Sequence, residues 1–156
     1  MATVIRGDDN WDTALKAGSQ AFAARIPSAS WFNVAEGYVI PFNDVSTGDS
    51  FDTGSNFNTS TYKYTAPTTG VYHFWFAMYT AQNDTANAFG FLKNSSELNL
   101  QQDAGNFLAF AANADDKILN FTCVIPLTAG DTMAVIAESA SDYYTGHSQW
   151  GGCRLS

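Results

Sequence analysis

The fold is decided by the stretch YTAPTTGVYHFWF, which runs from Tyr64 to Phe76. Its Pro67–Gly70 segment predicts a turn that ends one β-strand and starts another. An antiparallel strand with one solvated face alternates apolar and polar residues, whereas the second strand here is apolar on both faces. One face carries Tyr72, Phe74, Phe76 and Met78, and the other carries Val71, His73, Trp75, Ala77 and Tyr79.

Two apolar faces on one strand predict self-association. One face can fill the core of the domain, and the other needs a cover, for which a second copy of the chain is the simplest. The sequence therefore predicts a self-associating β-domain. The candidate interface residues are Tyr72, Phe74, Trp75, Phe76 and Trp150. The adjacent Gly151-Gly152 pair predicts a close backbone approach or a bulge in the last strand.

Length and charge narrow the classes of partner. The 156 residues indicate one domain with a sizeable core. Only 14% of the residues are charged, which is below the usual quarter or so. The net charge is −8, without a Lys/Arg cluster, so neither nucleic acid nor an anionic membrane surface is an expected partner. No segment approaches the roughly 20 apolar residues of a membrane-spanning helix, and we expect no membrane insertion.

Strand and turn signals divide the chain into an arm and one domain. Residues 1–20 are predicted to be an N-terminal arm that docks on a neighbouring subunit or a larger assembly, and they do not resemble a secretory signal. Residues 21–156 predict about ten short strands, with polar loops at 44–60 and 139–146. The predicted strands are 22–26, 31–42 (one or two), 61–65, 71–80, 88–93, 98–102, 107–111, 117–127, 132–138 and 148–155. This spacing is typical of a sandwich or jelly roll.

Catalytic and redox motifs are missing from the sequence. It contains no G-x-S-x-G, H-E-x-x-H, C-x-x-C or P-loop, so we expect no enzymatic activity and no cofactor. His73 stands among aromatic residues and is predicted to be a packed, hydrogen-bonded histidine. Cys123 and Cys153 fall in predicted strands and are expected to be buried free thiols.

Asp-rich turns leave a calcium site open as an alternative. They lie at 8–12, 49–52 and 115–116, and carboxylate oxygens are ligands that Ca²⁺ prefers. None of them has EF-hand spacing, so solvated turns are the favoured interpretation.

Tyr143, Tyr144 and His147 are the candidate ligand contacts. The two tyrosines stand in the predicted polar loop and His147 follows it. An exposed aromatic pair suits contact with a carbohydrate or a protein. Packing of the pair on the base of its own loop is an equally open interpretation.

An ordered series of motifs resembles the globular C1q domain of the C1q/TNF superfamily. The motifs are Ala21-Phe22-Ala23-Ala24, Ile40-Pro41-Phe42, the central aromatic signature of Asp52, Phe57, Tyr64, Gly70, Tyr72, Phe74 and Phe76, LTAGDTMAV at 127–135, and SQWGGCRL at 148–155. The resemblance spans residues 21–155. It implies an all-β, ten-stranded C1q/TNF-like jelly-roll sandwich that forms a threefold homotrimer. No collagen-like stalk precedes the domain in this sequence.

These features together predict a non-enzymatic trimeric structural or recognition head. The first hypothesis is a bacteriophage virion component, either a capsid decoration protein or a fibre or tail tip that contacts a host surface glycan or protein. In that case the arm would bind other virion or capsid proteins. The alternative is a soluble, extracellular C1q-like lectin or ligand-binding module, with Ca²⁺ or a glycan held by loops 44–60 and 139–147.

Overall fold

The computed structural model describes residues 20–80, 87–94, 107–113 and 117–156. These ranges form eleven β-strands and contain no helix, so no helix in them could cross a membrane. The strands are β1 (Ala21–Arg25), β2 (Trp31–Val34), β3 (Phe51–Asp52), β4 (Phe57–Asn58), β5 (Lys63–Thr65), β6 (Gly70–Thr80), β7 (Asn87–Lys93), β8 (Phe107–Asn113), β9 (Lys117–Leu127), β10 (Thr132–Ala137) and β11 (Ser141–Arg154).

The strands form two antiparallel sheets. The first has the order β3-β1-β11-β6-β9, with β2 also paired to β11, and the second has the order β4-β5-β10-β7-β8. The predicted all-β class is therefore confirmed. The count differs from ten because the predicted loop 44–60 contains the two-residue strands β3 and β4. The predicted strand 98–102 and the arm up to residue 19 lie outside the described residues.

The even-numbered face of β6, which carries most of its aromatic residues, points into the core of the domain. From Val71 to the end of β6, half-buried and buried residues alternate. The buried residues are Tyr72, Phe74, Phe76, Met78 and Thr80. The odd-numbered face, with Trp75, is the outer face of the first sheet. The pairing of β6 with β9 runs without interruption from Gly70 to Thr80, so the predicted long central strand is confirmed.

Four of the five predicted interface residues lie in this core. Tyr72, Phe74, Phe76 and Trp150 are each at most 1% exposed. The prediction that they contact a second copy is wrong, because side chains that fill the core of one chain leave no surface for another chain to cover. Trp75 is half-buried on the outer face and stays a candidate.

The Gly151-Gly152 pair lets β11 pack closely between its neighbours. A Cβ atom on Gly152 would lie 2.4 Å from Cδ1 of Phe74 and 2.8 Å from the carbonyl oxygen of His73. A Cβ atom on Gly151 would lie 2.6 Å from the carbonyl oxygen of Phe22. The predicted close approach is thus present within one chain, between β11 and the flanking strands β1 and β6.

The predicted polar loop 139–146 is wrong. From residue 141 onward this segment is part of β11, which pairs there with β2 and with the end of β6. Asp142 and Asn33 face each other across that pair, and the Asn33 side-chain amide donates to the carboxylate at 2.7 Å. The polar composition suggested a loop, but aromatic cross-strand pairs and such polar bonds stabilise a strand.

Candidate functional site

The outer face of the first sheet is built from three cross-strand rows. Strand register places Ala21, Cys153, His73 and Val124 in one row, Phe51, Ala23, Gly151, Trp75 and Thr122 in the next, and Arg25, Gln149, Ala77 and Asn120 in the third. We call these residues the outer sheet face. Most of them are apolar or small; Gly151 is buried against Trp75, and the others are half-buried or exposed.

Exposed apolar surface and a scarcity of carboxylates distinguish the outer sheet face. Val124 is 62% exposed and Phe51 is 45% exposed. The charged residues are Arg25 and Asp44, which extends the third row beside Arg25 and forms an ion pair with it, although the chain carries 15 Asp and Glu. His73 makes the hydrogen bond that was predicted for it, since its Nε2 lies 2.5 Å from Oγ1 of Thr122.

Four aromatic rings cluster at one end of the same sheet, beyond the third row. The rings of Trp31 and Tyr144 lie 5.4 Å apart, and those of Tyr144 and His147 lie 5.1 Å apart. Tyr79 completes the group, 5.7 Å from Trp31 and 5.6 Å from His147. Such separations are typical of favourable aromatic pairs. We call Trp31, Tyr79, Tyr144 and His147 the aromatic cluster; Trp31 is 51% exposed.

A bulge in β11 separates the aromatic cluster from the three rows. Tyr144 pairs with Tyr79 and Gln149 pairs with Ala77, so five residue steps along β11 oppose two along β6. The extra residues push Gly146 and His147 outward, where both are exposed. The hydroxyl of Ser148 fixes the bulge, because it donates to the Tyr144 carbonyl oxygen at 2.8 Å and accepts from the Tyr79 amide at 3.2 Å. Bulges of this kind re-aim side chains beside functional sites.

The bulge forms one wall of a cleft of about 420 Å³, which we call the β11 cleft. Three segments line it, at 23–29, 49–50 and 145–149. The polar side chains that reach it include Arg25, Asp49, His147 and Gln149. His147 also belongs to the aromatic cluster, so the cleft and the cluster form one continuous surface.

Thr145 holds two walls of the β11 cleft together. Its hydroxyl accepts from the Ser30 amide at 3.0 Å, and it is also within hydrogen-bonding distance of the carbonyl oxygens of Ser28 and Ser30. Its own amide donates to the Ser30 carbonyl oxygen at 2.9 Å. The side chain is 2% exposed. The segment after β1 is thereby fixed to the bulge, and the cleft is formed before any ligand arrives.

The Arg25 side chain on β1 is bonded to the loop 44–47, which leads into the third wall of the cleft at 49–50. Arg25 Nε lies 3.2 Å from Oδ2 of Asp44, and Arg25 Nη2 donates to Oγ1 of Thr47 at 2.7 Å. The Thr47 hydroxyl bond holds the pKa of the Asp44 carboxyl well below its ordinary value, with help from the Ser46 amide and Arg25 and against the cost of burial. Asp44 is therefore ionised at neutral pH and neutralises the guanidinium at the edge of the cleft.

The structure brings together two of the three predicted ligand contacts and buries the third. Tyr144 and His147 come together in the aromatic cluster. Tyr143 is fully buried and packs against Phe89 and Phe32, so its prediction as a ligand contact is corrected: successive residues of a strand point to opposite faces. Burial also raises the pKa of the Tyr143 hydroxyl well above its ordinary value.

The Asp-rich turns give no metal cluster in the described residues, where no three His, Cys, Asp or Glu side chains gather. Asp52 instead closes a local turn, since its carboxylate accepts from the Phe57 amide at 2.8 Å. Asp49 lines the β11 cleft. The acidic stretches 8–12 and 115–116 lie outside the described residues. Both cysteines are free, as predicted, but they are half-buried and not fully buried.

Comparison of the sequence with known protein families and with curated proteins finds no match. Among solved structures, Eiger TNF from S. frugiperda superposes with a TM-score of 0.64 at 14% identity, covering 88% of this chain and 93% of that one. The fold is C1q/TNF-like. The globular domain of zebrafish complement 1qA superposes with a TM-score of 0.60 at 16% identity, covering 88% of this chain and 98% of that one. The resemblance noted in the sequence motifs is confirmed at the level of fold.

No signal in the sequence showed that these site residues come together. Trp31 and Tyr79 are distant from Tyr144 in the sequence and meet it only through the pairing of β2 and β6 with β11. Arg25 and Asp49 likewise reach one cleft from separate segments. The aromatic residues themselves were a signal, but their spacing along the chain carried no sign that they meet.

Proposed function

We propose that this chain is a non-enzymatic recognition head that self-associates as a homotrimer through its outer sheet face. The observation that carries the proposal is the combination of exposed apolar side chains, such as Val124 and Phe51, with three rows whose one carboxylate, that of Asp44, is paired with Arg25. A chain of net charge −8 repels its own copies, so a face without unpaired negative charge is where copies can approach. The threefold arrangement follows from the resemblance to C1q/TNF domains.

Light scattering on a matched pair of variants tests the self-association. Val124→Arg puts a charge at an exposed position of the outer sheet face, and Tyr38→Arg puts the same charge at a position that is 57% exposed and lies outside the three rows. We expect a species of three chain masses for the wild type and for Tyr38→Arg, and a smaller species for Val124→Arg. A wild-type monomer, or a Val124→Arg protein that stays trimeric, would contradict the proposal.

The biological context of this recognition head is a separate hypothesis. We propose a virion component of a bacteriophage, with an extracellular ligand-binding module as the alternative. Mass spectrometry of density-purified particles and of culture supernatant from uninfected cells separates the two. The virion hypothesis requires the chain in particles at a constant ratio to the capsid protein. Its presence only in the supernatant would favour the extracellular module.

A further inference from the structure

We propose that the β11 cleft and the adjoining aromatic cluster form a binding site for a neutral carbohydrate. The inference rests on the proposed function as a recognition head, and it names the class of ligand. The cleft volume of about 420 Å³ falls within the roughly 300–1,000 Å³ of small-molecule sites. Its opening continues into the rings of Trp31 and His147, which are exposed, and of Tyr144, which is half-buried.

The chemistry of the lining matches a polyhydroxylated ring. A saccharide presents hydroxyl groups around its edge and a patch of C–H groups on its face. Asp49 accepts hydrogen bonds, Arg25 donates them, and Gln149 does both. The aromatic cluster offers negative π faces against which the slightly positive C–H face can pack. Planar polar groups beside exposed rings are thus complementary to both parts of a sugar.

The balance of charge argues for a neutral rather than an anionic sugar. Arg25 is already paired with Asp44 at 3.2 Å and with Thr47 at 2.7 Å, and Asp49 adds a carboxylate to the lining. No Lys lines the cleft among the described residues. A sialic acid carboxylate or a sulfate would therefore enter without an unpaired cation to receive it.

The location leaves the aromatic cluster open in a self-associated protein, whereas Ala23, Arg25 and Gln149 of the cleft also belong to the outer sheet face, so a ligand would enter the cleft from the side of the cluster. The aromatic cluster lies beyond the third row of the outer sheet face, on the far side of the bulge between Tyr144 and Gln149. The cleft is also rigid before binding. Thr145 fixes two of its walls to each other, and Asp44 closes the turn 44–47 by accepting from the Ser46 amide at 2.9 Å. Preorganisation lowers the entropic cost of capturing a small ligand.

The test is a glycan array that carries neutral hexose and N-acetylhexosamine oligosaccharides beside sialylated and sulfated ones. The strongest neutral oligosaccharide is then titrated in solution by tryptophan fluorescence. We expect binding to neutral glycans, weakened about tenfold or more by Tyr144→Ala and by Gln149→Ala. Tyr38→Ala, which removes another exposed tyrosine outside the site, serves as the control and should bind as the wild type does.

Three outcomes would overturn the carbohydrate site. They are a blank array, binding confined to the sialylated or sulfated glycans, and unchanged binding by both Gln149→Ala and Asp49→Asn. Gln149→Ala and Asp49→Asn alter exposed side chains. These two variants therefore keep the test of binding valid if Tyr144→Ala unfolds the protein. Light scattering of the same samples shows whether self-association persists. A trimer that binds no glycan refutes this inference and leaves the proposed self-association intact.

Discussion

Gly152→Ala should destabilise the protein although it adds only one methyl group. The new Cβ would lie 2.4 Å from Cδ1 and 2.8 Å from Cε1 of Phe74, where carbon atoms prefer about 3.5–4.0 Å. Phe74 cannot move aside because it is fully buried, with the Tyr64 ring 5.6 Å away and the Trp150 ring 6.2 Å away. Overpacking of this kind costs about 3 kcal/mol at the upper end, and the reduced entropy of the unfolded chain returns up to about 1 kcal/mol.

A net loss of about 2 kcal/mol corresponds to a melting temperature lower by about 4–8 °C for a chain of this size. Circular dichroism melts at one fixed protein concentration measure it, because the proposed self-association would make the melting temperature depend on concentration. Gly54→Ala is the matched control. There the nearest atom is the side-chain amide nitrogen of Asn56, which can rotate away, so we expect a change within about 0.5 kcal/mol. Equal stability of Gly152→Ala and the wild type would refute the packing argument.

Three further predictions concern a hydrogen bond, a carboxylate and a thiol. Thr145→Val should cost about 1–3 kcal/mol in urea unfolding, because its hydroxyl bonds to the Ser30 backbone are lost; the exposed Thr59→Val should cost almost nothing. Lys93, at 2.8 Å, lowers the pKa of Asp131 to about 2. The contribution of this ion pair to stability is therefore fully present above the ordinary carboxyl pKa and is lost as the pH drops toward 2. Asp131→Asn should reduce this loss of stability at low pH by up to about 1 kcal/mol. Burial raises the pKa of the Cys123 thiol to about 11. Iodoacetamide at pH 8 should therefore label it far more slowly in the folded chain than in the unfolded chain. Equal labelling rates, measured by peptide mass spectrometry, would contradict its burial.

Prediction from the sequence succeeded where the physical cause is local. The turn at 67–70 and the apolar run after it follow from the residues themselves, and both appear in the structure as the start and length of β6. The same holds for 117–127, whose predicted bounds coincide with β9. It failed at 139–146, where polar composition favours a loop. Pairing of Tyr143 with Phe32 and of Tyr144 with Trp31 makes that segment a strand, and no local signal contains those partners.

The sequence by itself determined the all-β class, the order of the main strands and a central strand with two apolar faces, because alternation and turn chemistry act over a few residues. Only the tertiary structure decided which face of β6 is core, since that depends on where the second sheet packs. It placed Trp150 and Tyr143 inside and left Trp75 on the outer face. It also assembled the candidate site, because Trp31, Tyr79 and Tyr144 are brought together by strand register and not by their spacing along the chain.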